Sequence, residues 1–563
     1  MKKACLIIAC LLSASIAVQA QTQLKGKILK IDFSSQVAER GGSDMSLSLG
    51  GISSSRSVNL LSAERAINAA ASDDKVAAIF LKTDKYASSV ASAEELRACL
   101  ERFKAAGKPV IAYNTGYSAG SYYLASVADK VVLNPAGEGS INGLSSTIMF
   151  YKDLLDTLGI KIQLIRHGKY KSAGEPYIRN DISEENREQY AKLLGSTWKA
   201  VTDAVEASRG LAAGTLDRYA EDLTLSNAKS WLDAGLVDNL WHKEEMEEYL
   251  CSLFGVKKVE LLNIVSLDSY IDKLKKGPAK NKIAVVYADG GIGSGESVKG
   301  IATAQTIADV RADSTVKAIV FRVNSPGGAV LDSDLIRHEI DEARKVKPVI
   351  ASYGSYAASG GYWISSSTDR IFTDKTTLTG SIGVFGMVPV VGDAIRGKLK
   401  VNPVTIGTHS HSDMTGAMRE LDEEEQAWMQ KSIEEVYSKF VALVAQGRSL
   451  EEPFVDSIAQ GRVWTGADAL ELGLTDQIGT ALDAVEYAAE QLGLSSYRVV
   501  YYPEKKSVSL MSMLKGKTEE TPLVEIEAPS AVRPVAQALQ QAEAIVGTGP
   551  SVQARLPYLI EIH

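Results

Sequence analysis

The chain has 563 residues, a formal net charge of −8, 45% hydrophobic and 23% charged residues. That balance is ordinary for globular protein and excludes wholesale disorder and fibrous repeats, and with no Lys/Arg-rich block it also excludes nucleic acid as a main partner. Cys5, Cys10, Cys99 and Cys251 supply neither a disulfide framework nor a zinc-like Cys/His spacing, so no metal and no cofactor is expected.

In chain order, Met1-Lys2-Lys3 precedes an uncharged run from Ala4 to Leu24 that ends its apolar part at Val18-Gln19-Ala20. This reads as a secretory signal over residues 1–20, cleaved after Ala20. A lasting anchor and lipidation at Cys10 are the alternatives, but a membrane span wants ~20 apolar residues and this core is shorter. The rest of the chain is expected outside the cytoplasm.

An internal duplication follows. Lys75–Asp84 (KVAAIFLKTD) is matched by Thr315–Asn324 (TVKAIVFRVN), and Lys108–Ala112 (KPVIA) by Lys347–Ala351. Ser118–Tyr123 (SAGSYY) is matched by Ala358–Trp363 (ASGGYW), and Ala234–Asp238 (AGLVD) by Leu472–Asp476 (LGLTD). A constant offset near 240 is not what recurring β-α vocabulary would give. Ile79–Leu81 and Ile319–Phe321 read as buried parallel strands, with helices at Ala93–Ala106 and Ser333–Lys345 behind them. Strand–helix–strand alternation implies right-handed βαβ units in an α/β fold. The expected organisation is a first copy at 25–255, a linker at 256–282, a second copy at 283–500 and a tail at 501–563. Within the tail, Ala536–Val546 reads as one helix.

The chemistry concentrates in copy two. Asn324-Ser325-Pro326-Gly327-Gly328 closes a strand, and its glycines can present bare N–H groups to a developing oxyanion. About 30 residues later, Ala357-Ala358-Ser359-Gly360-Gly361-Tyr362-Trp363 sets one serine among small residues. A serine nucleophile needs a base. The histidines are His167, His242, His338, His409, His411 and His563, none of them between Gly360 and Thr408. Copy one has Ala119 at the Ser359 position and Asp84-Lys85-Tyr86-Ala87-Ser88 at the turn. Conversely, it carries Lys169-Tyr170-Lys171-Ser172-Ala173-Gly174-Glu175-Pro176, whereas the matching stretch of copy two, His409–Arg419, has no lysine. Each half lacks what the other holds, so one shared site is expected.

The chain resembles the signal peptide peptidase A family, also called protease IV, in its long duplicated form. The matches are NSPGG, AASGGYW, Leu378–Gly386 (LTGSIGVFG) and Gly168–Arg179 (GKYKSAGEPYIR). The resemblance implies two tandem repeats of a Clp protease/crotonase-like βαβ superhelical fold. It implies a Ser–Lys dyad, with Ser359 as nucleophile and Lys171, rather than Lys169, as general base. Ser381 would hydrogen-bond the lysine, and Gly327 or Gly328 with the Gly360 amide would form the oxyanion hole. The implied activity is that of a cell-envelope serine endopeptidase acting on cleaved signal peptides and other extended apolar peptides. A homotetramer at or near a membrane surface is implied as well. The competing readings are an enoyl-CoA hydratase-like enzyme, which shares the architecture and the oxyanion turn, and a non-catalytic scaffold.

Overall fold

A computed structural model describes residues 23–33, 36–48, 51–274, 279–504 and 551–555; the N-terminal apolar run to Ala20 and the expected helix Ala536–Val546 lie outside them. Among the described residues, no helix is long and apolar enough to cross a membrane.

The apolar runs form the expected strands. In copy one, Val76–Leu81 lies beside Lys27–Ile31 and Val110–Tyr117 in a six-stranded parallel sheet. Its order is Ile264–Ser266, Lys27–Ile31, Val76–Leu81, Val110–Tyr117, Lys130–Gly139, Asn239–Leu240. In copy two, Val316–Ser325 lies between Lys282–Asp289 and Val349–Ala358, again in parallel register. The helices Val90–Ala105 and Val330–Arg344 connect successive strands of each sheet. The fold is therefore α/β, built from two tandem repeats.

The repeat extends to single hydrogen bonds. Tyr122 donates to the Leu236 carbonyl, and Tyr362 to that of Leu474. Lys108 reaches the Ala70 and Asp73 carbonyls, and Lys347 those of Val310 and Asp313. Arg209 pairs with Asp238, and Arg448 with Asp476.

The expected linker 256–282 is folded as far as Leu274. Ile264–Ser266 adds a parallel edge strand to Lys27–Ile31, and Leu267–Leu274 buries Leu267, Tyr270 and Ile271 against copy one. These apolar positions outweigh the lysines that surround them in sequence. Of the expected tail 501–563, residues 505–550 lie outside the described ones; at its start Arg498–Tyr502 pairs in parallel with Lys282–Val286, and Ser551–Arg555 forms a strand.

Apolar packing and strand pairing both join the copies. Helices Leu60–Ser72 and Val90–Ala105 of copy one share a core with Ala318, Val320, Phe372 and helix Ala481–Gln491 of copy two. A four-stranded antiparallel sheet also crosses the boundary. In it Lys161–His167 of copy one pairs along its whole length with Val384–Val390 of copy two.

Candidate active site at the seam of the repeats

The cross-copy strand Lys161–His167 delivers the chain into the lysine-bearing loop. Gly168 sits at φ 94°, and a Cβ there would lie 2.4 Å from the Gln460 carbonyl oxygen. The loop therefore presses on Gln460-Gly461-Arg462 of copy two, and Tyr170 N–H donates to the Gln460 carbonyl at 3.0 Å. Gly461, at φ 79°, lies directly beneath the lysine: a Cβ there would come 2.6 Å from Lys171 Cβ. On the other side, Arg166 donates to the Lys171 carbonyl (2.9 Å) and contacts Glu175. Glu175 is buried and accepts from Ser183 Oγ (2.6 Å) and Asn186 Nδ2 (3.1 Å).

Ser359 ends the strand Val349–Ala358 at φ 55°, ψ −115°, just before the short helix Gly360–Trp363. A non-glycine residue in this region carries about 1–3 kcal/mol of strain, which the surroundings must hold. Its N–H donates to the Gly380 carbonyl and its carbonyl accepts from Trp363, both at 2.8 Å. Gly361 lets the helix approach the turn, since a Cβ there would lie 2.5 Å from the Ser325 carbonyl oxygen. Ser381 is also left-handed, at φ 50°, and its N–H donates to the Arg462 carbonyl at 2.7 Å.

These placements bring three side chains together. Lys171 Nζ lies within hydrogen-bond distance of Ser359 Oγ (2.7 Å), Ser381 Oγ (3.0 Å) and the Ser381 carbonyl oxygen (3.1 Å). All three residues are fully buried. Burial alone holds the Lys171 amine well below the usual lysine range, because an ammonium there is stripped of water.

Gly327 and Gly328 form a short strand after Pro326, at φ 102° and 159°. Gly327 N–H donates to Ser325 Oγ at 3.2 Å, and its carbonyl accepts from Ile292 at 3.0 Å. Ala329 N–H donates to Ile292, so by strand alternation the Gly328 peptide groups face the opposite side. Gly360 opens the helix behind Ser359. Its N–H is thus one of the first-turn amides that have no intrahelical partner.

Lys169 lies outside this cluster, exposed with its ammonium 5.1 Å from the Tyr170 ring centre. His338 and His409 are exposed, His411 pairs with Glu425, and His167 stacks on Tyr437. At the corresponding place in copy one, Ser118 caps an ordinary helix from the extended region and Ala119 follows it. The sequence reading missed Gly461 and Arg166 and gave no separate role to Gly383, where a Cβ would lie 3.2 Å from Lys171 Cδ. The only available signal was the glycine of Gln460-Gly461-Arg462, and nothing local tied it to a lysine 290 residues earlier.

The sequence pattern of peptidase family S49 matches residues 102–257 and 341–495, once in each repeat. Protease 4 of Haemophilus influenzae is 36% identical over 483 residues, covering 80% of this chain and 77% of that protein. Protease 4 of Salmonella typhi is 41% identical, covering 74% of this chain and 69% of its own length. The chloroplastic serine protease SPPA of Arabidopsis thaliana is 30% identical, covering 79% and 68%. These likenesses set aside the hydratase and scaffold readings.

Proposed function

From the premise that this chain belongs to peptidase family S49 and is a serine peptidase, we propose a Ser–Lys mechanism completed only where its two repeats meet. The observation that carries it is the 2.7 Å contact between Lys171 Nζ of one repeat and Ser359 Oγ of the other, inside a fully buried cluster.

In this mechanism the neutral Lys171 amine takes the Ser359 hydroxyl proton as Oγ attacks the substrate carbonyl carbon. Ser381 fixes the amine through its hydroxyl and carbonyl. The tetrahedral oxyanion is held by the amide of Gly327 or Gly328 together with that of Gly360; each such donor contributes about 2.7–4 kcal/mol to the transition state. The Lys171 ammonium then gives its proton to the leaving amine, and the peptide C–N bond breaks. A water, deprotonated by the same amine, hydrolyses the Ser359 ester. A lysine with the ordinary pKa of ~10.4 would be protonated and inert at neutral pH, so the dry pocket is what equips this residue as a base.

The substrates under this reading are extended apolar peptides, cleaved signal peptides among them, bound by backbone pairing in a β-edge cleft. The setting is the cell envelope, at or near a membrane surface, with the chain assembled as a homotetramer. The test is hydrolysis of a peptide ester, with fluorophosphonate labelling in parallel. Ser359→Ala and Lys171→Ala are each expected to lower kcat by at least ~10³ while the thermal transition persists. Turnover close to wild type in either variant removes that residue from the dyad.

A further inference from the structure

Gly327–Ala329 and Val384–Val390 are not neighbours: one strand lies between them. That strand is Ser551–Arg555 of the same chain, beyond both regions matched by the family pattern. It runs antiparallel to both edges. Arg555, Ala554 and Gln553 face Gly327, Gly328 and Ala329, while Gln553, Val552 and Ser551 face Phe385, Gly386 and Met387. The gap is therefore two strand spacings wide, about 9.5 Å, and takes a single extended chain.

The slot is continuous with the site. One wall holds the two glycines offered above as oxyanion donors, and Gly328 turns its peptide groups toward the tail strand. The other wall, Val384–Val390, begins three residues after Ser381 and carries on its far edge the strand Lys161–His167 that leads into the Lys171 loop. The tail strand also lies against the short helix Gly360–Trp363 that follows Ser359.

Resting on the reading of Ser359 as the peptidase nucleophile, we propose that Ser551–Arg555 is an intramolecular occupant of the substrate slot. Substrate must displace it before turnover. An incoming extended peptide can pair through its backbone with the same two edges and so replace the tail strand for strand. A segment of the same chain competes intramolecularly with substrate, which raises the apparent KM.

The test compares the full chain with a chain ending at Gly549 and with full-length Val552→Pro/Ala554→Pro, which keeps the tail but not its ladder. In a Ser359→Ala background, a fluorescent peptide of residues 551–555 is titrated by polarisation. The shortened and proline forms are expected to bind it about tenfold more tightly than the full chain. With Ser359 intact, both are expected to hydrolyse a peptide ester with KM about fivefold or more lower and kcat within about twofold. Equal peptide binding by all three forms, or no binding by any, overturns the proposal, as does a KM indifferent to the tail. Absence of Ser359-dependent turnover in every form would instead sink the peptidase reading, and the polarisation series would then decide slot occupancy alone.

Discussion

Lys171 is a cation-forming side chain in a place where a cation is disfavoured. Its amine meets two oxygens of Ser381 and one of Ser359, and burial is the cause of its lowered pKa. In the unfolded chain the same amine titrates near 10.4. Between the folded pKa and that value the unfolded state binds more protons, so the Lys171 contribution to stability rises with pH across this window. Lys171→Met keeps the length and removes the titration. It is expected to raise Tm at pH 7, with the gain shrinking toward pH 10, as scanning calorimetry at both values would record. A gain that does not change with pH would mean that the amine is not held neutral by the fold. In the wild type, kcat/KM for a peptide ester should rise with pH through the Lys171 pKa and then level. Ser359 and the glycine turn were legible because small residues around one serine constrain the backbone locally. Lys171 was not: its choice over Lys169 came from a family resemblance, and its burial is produced by Gly461 and Gly383, on segments far along the chain.

At the level of elements, the strand pair Lys161–His167 and Val384–Val390 holds the halves of the site in register. Val384–Val390 has partners on both edges, so every N–H along its middle faces a neighbour. Proline at Gly386 removes one donor and forces the strand apart, a position where proline is essentially not found. Gly386→Pro is expected to cut peptide-ester turnover at least tenfold while the far-UV circular dichroism of the two parallel sheets is kept. Unchanged turnover would show that the cross-copy strand does not position Lys171. The parallel strands and their helices were legible as apolar runs followed by helical periodicity, to within a few residues at each end. The antiparallel pairing was not, because its two strands lie in different repeats and neither carries a hairpin signal. The same blindness to distant partners made 256–274 read as linker: the lysines near Gly277 were visible locally, whereas the sheet edge awaiting Val265 was not.

The whole molecule is held by a charge cluster as well as by apolar packing. Arg322, on the strand leading to the glycine turn, is fully buried and donates to Glu39 (2.7 and 2.8 Å) and to Glu95 of copy one. Glu95 and Glu64 also accept from the Ala481 and Leu482 amides, capping a copy-two helix with copy-one carboxylates. Burial raises the carboxyl pKa values of Glu64, Glu95 and Asp374. Above the unfolded carboxyl range the folded state then holds protons that the unfolded state has lost, so these groups favour folding less as pH rises. Arg322→Met leaves the acids facing one another without their guanidinium. Breaking such a buried pair costs about 3–5 kcal/mol. The fall in Tm is expected to be larger at pH 8 than at pH 5, where more of the acids carry protons that offset the missing charge. Equal falls at the two values, followed by thermal unfolding, would show that the carboxyls do not titrate in the fold. Because the same cluster anchors the strand of the glycine turn and fastens copy one to copy two, loss of Arg322 should lower Tm and kcat together. Under the proposed Ser–Lys mechanism the repeats thus act as one catalytic body, since Lys171 and Ser359 lie in different halves.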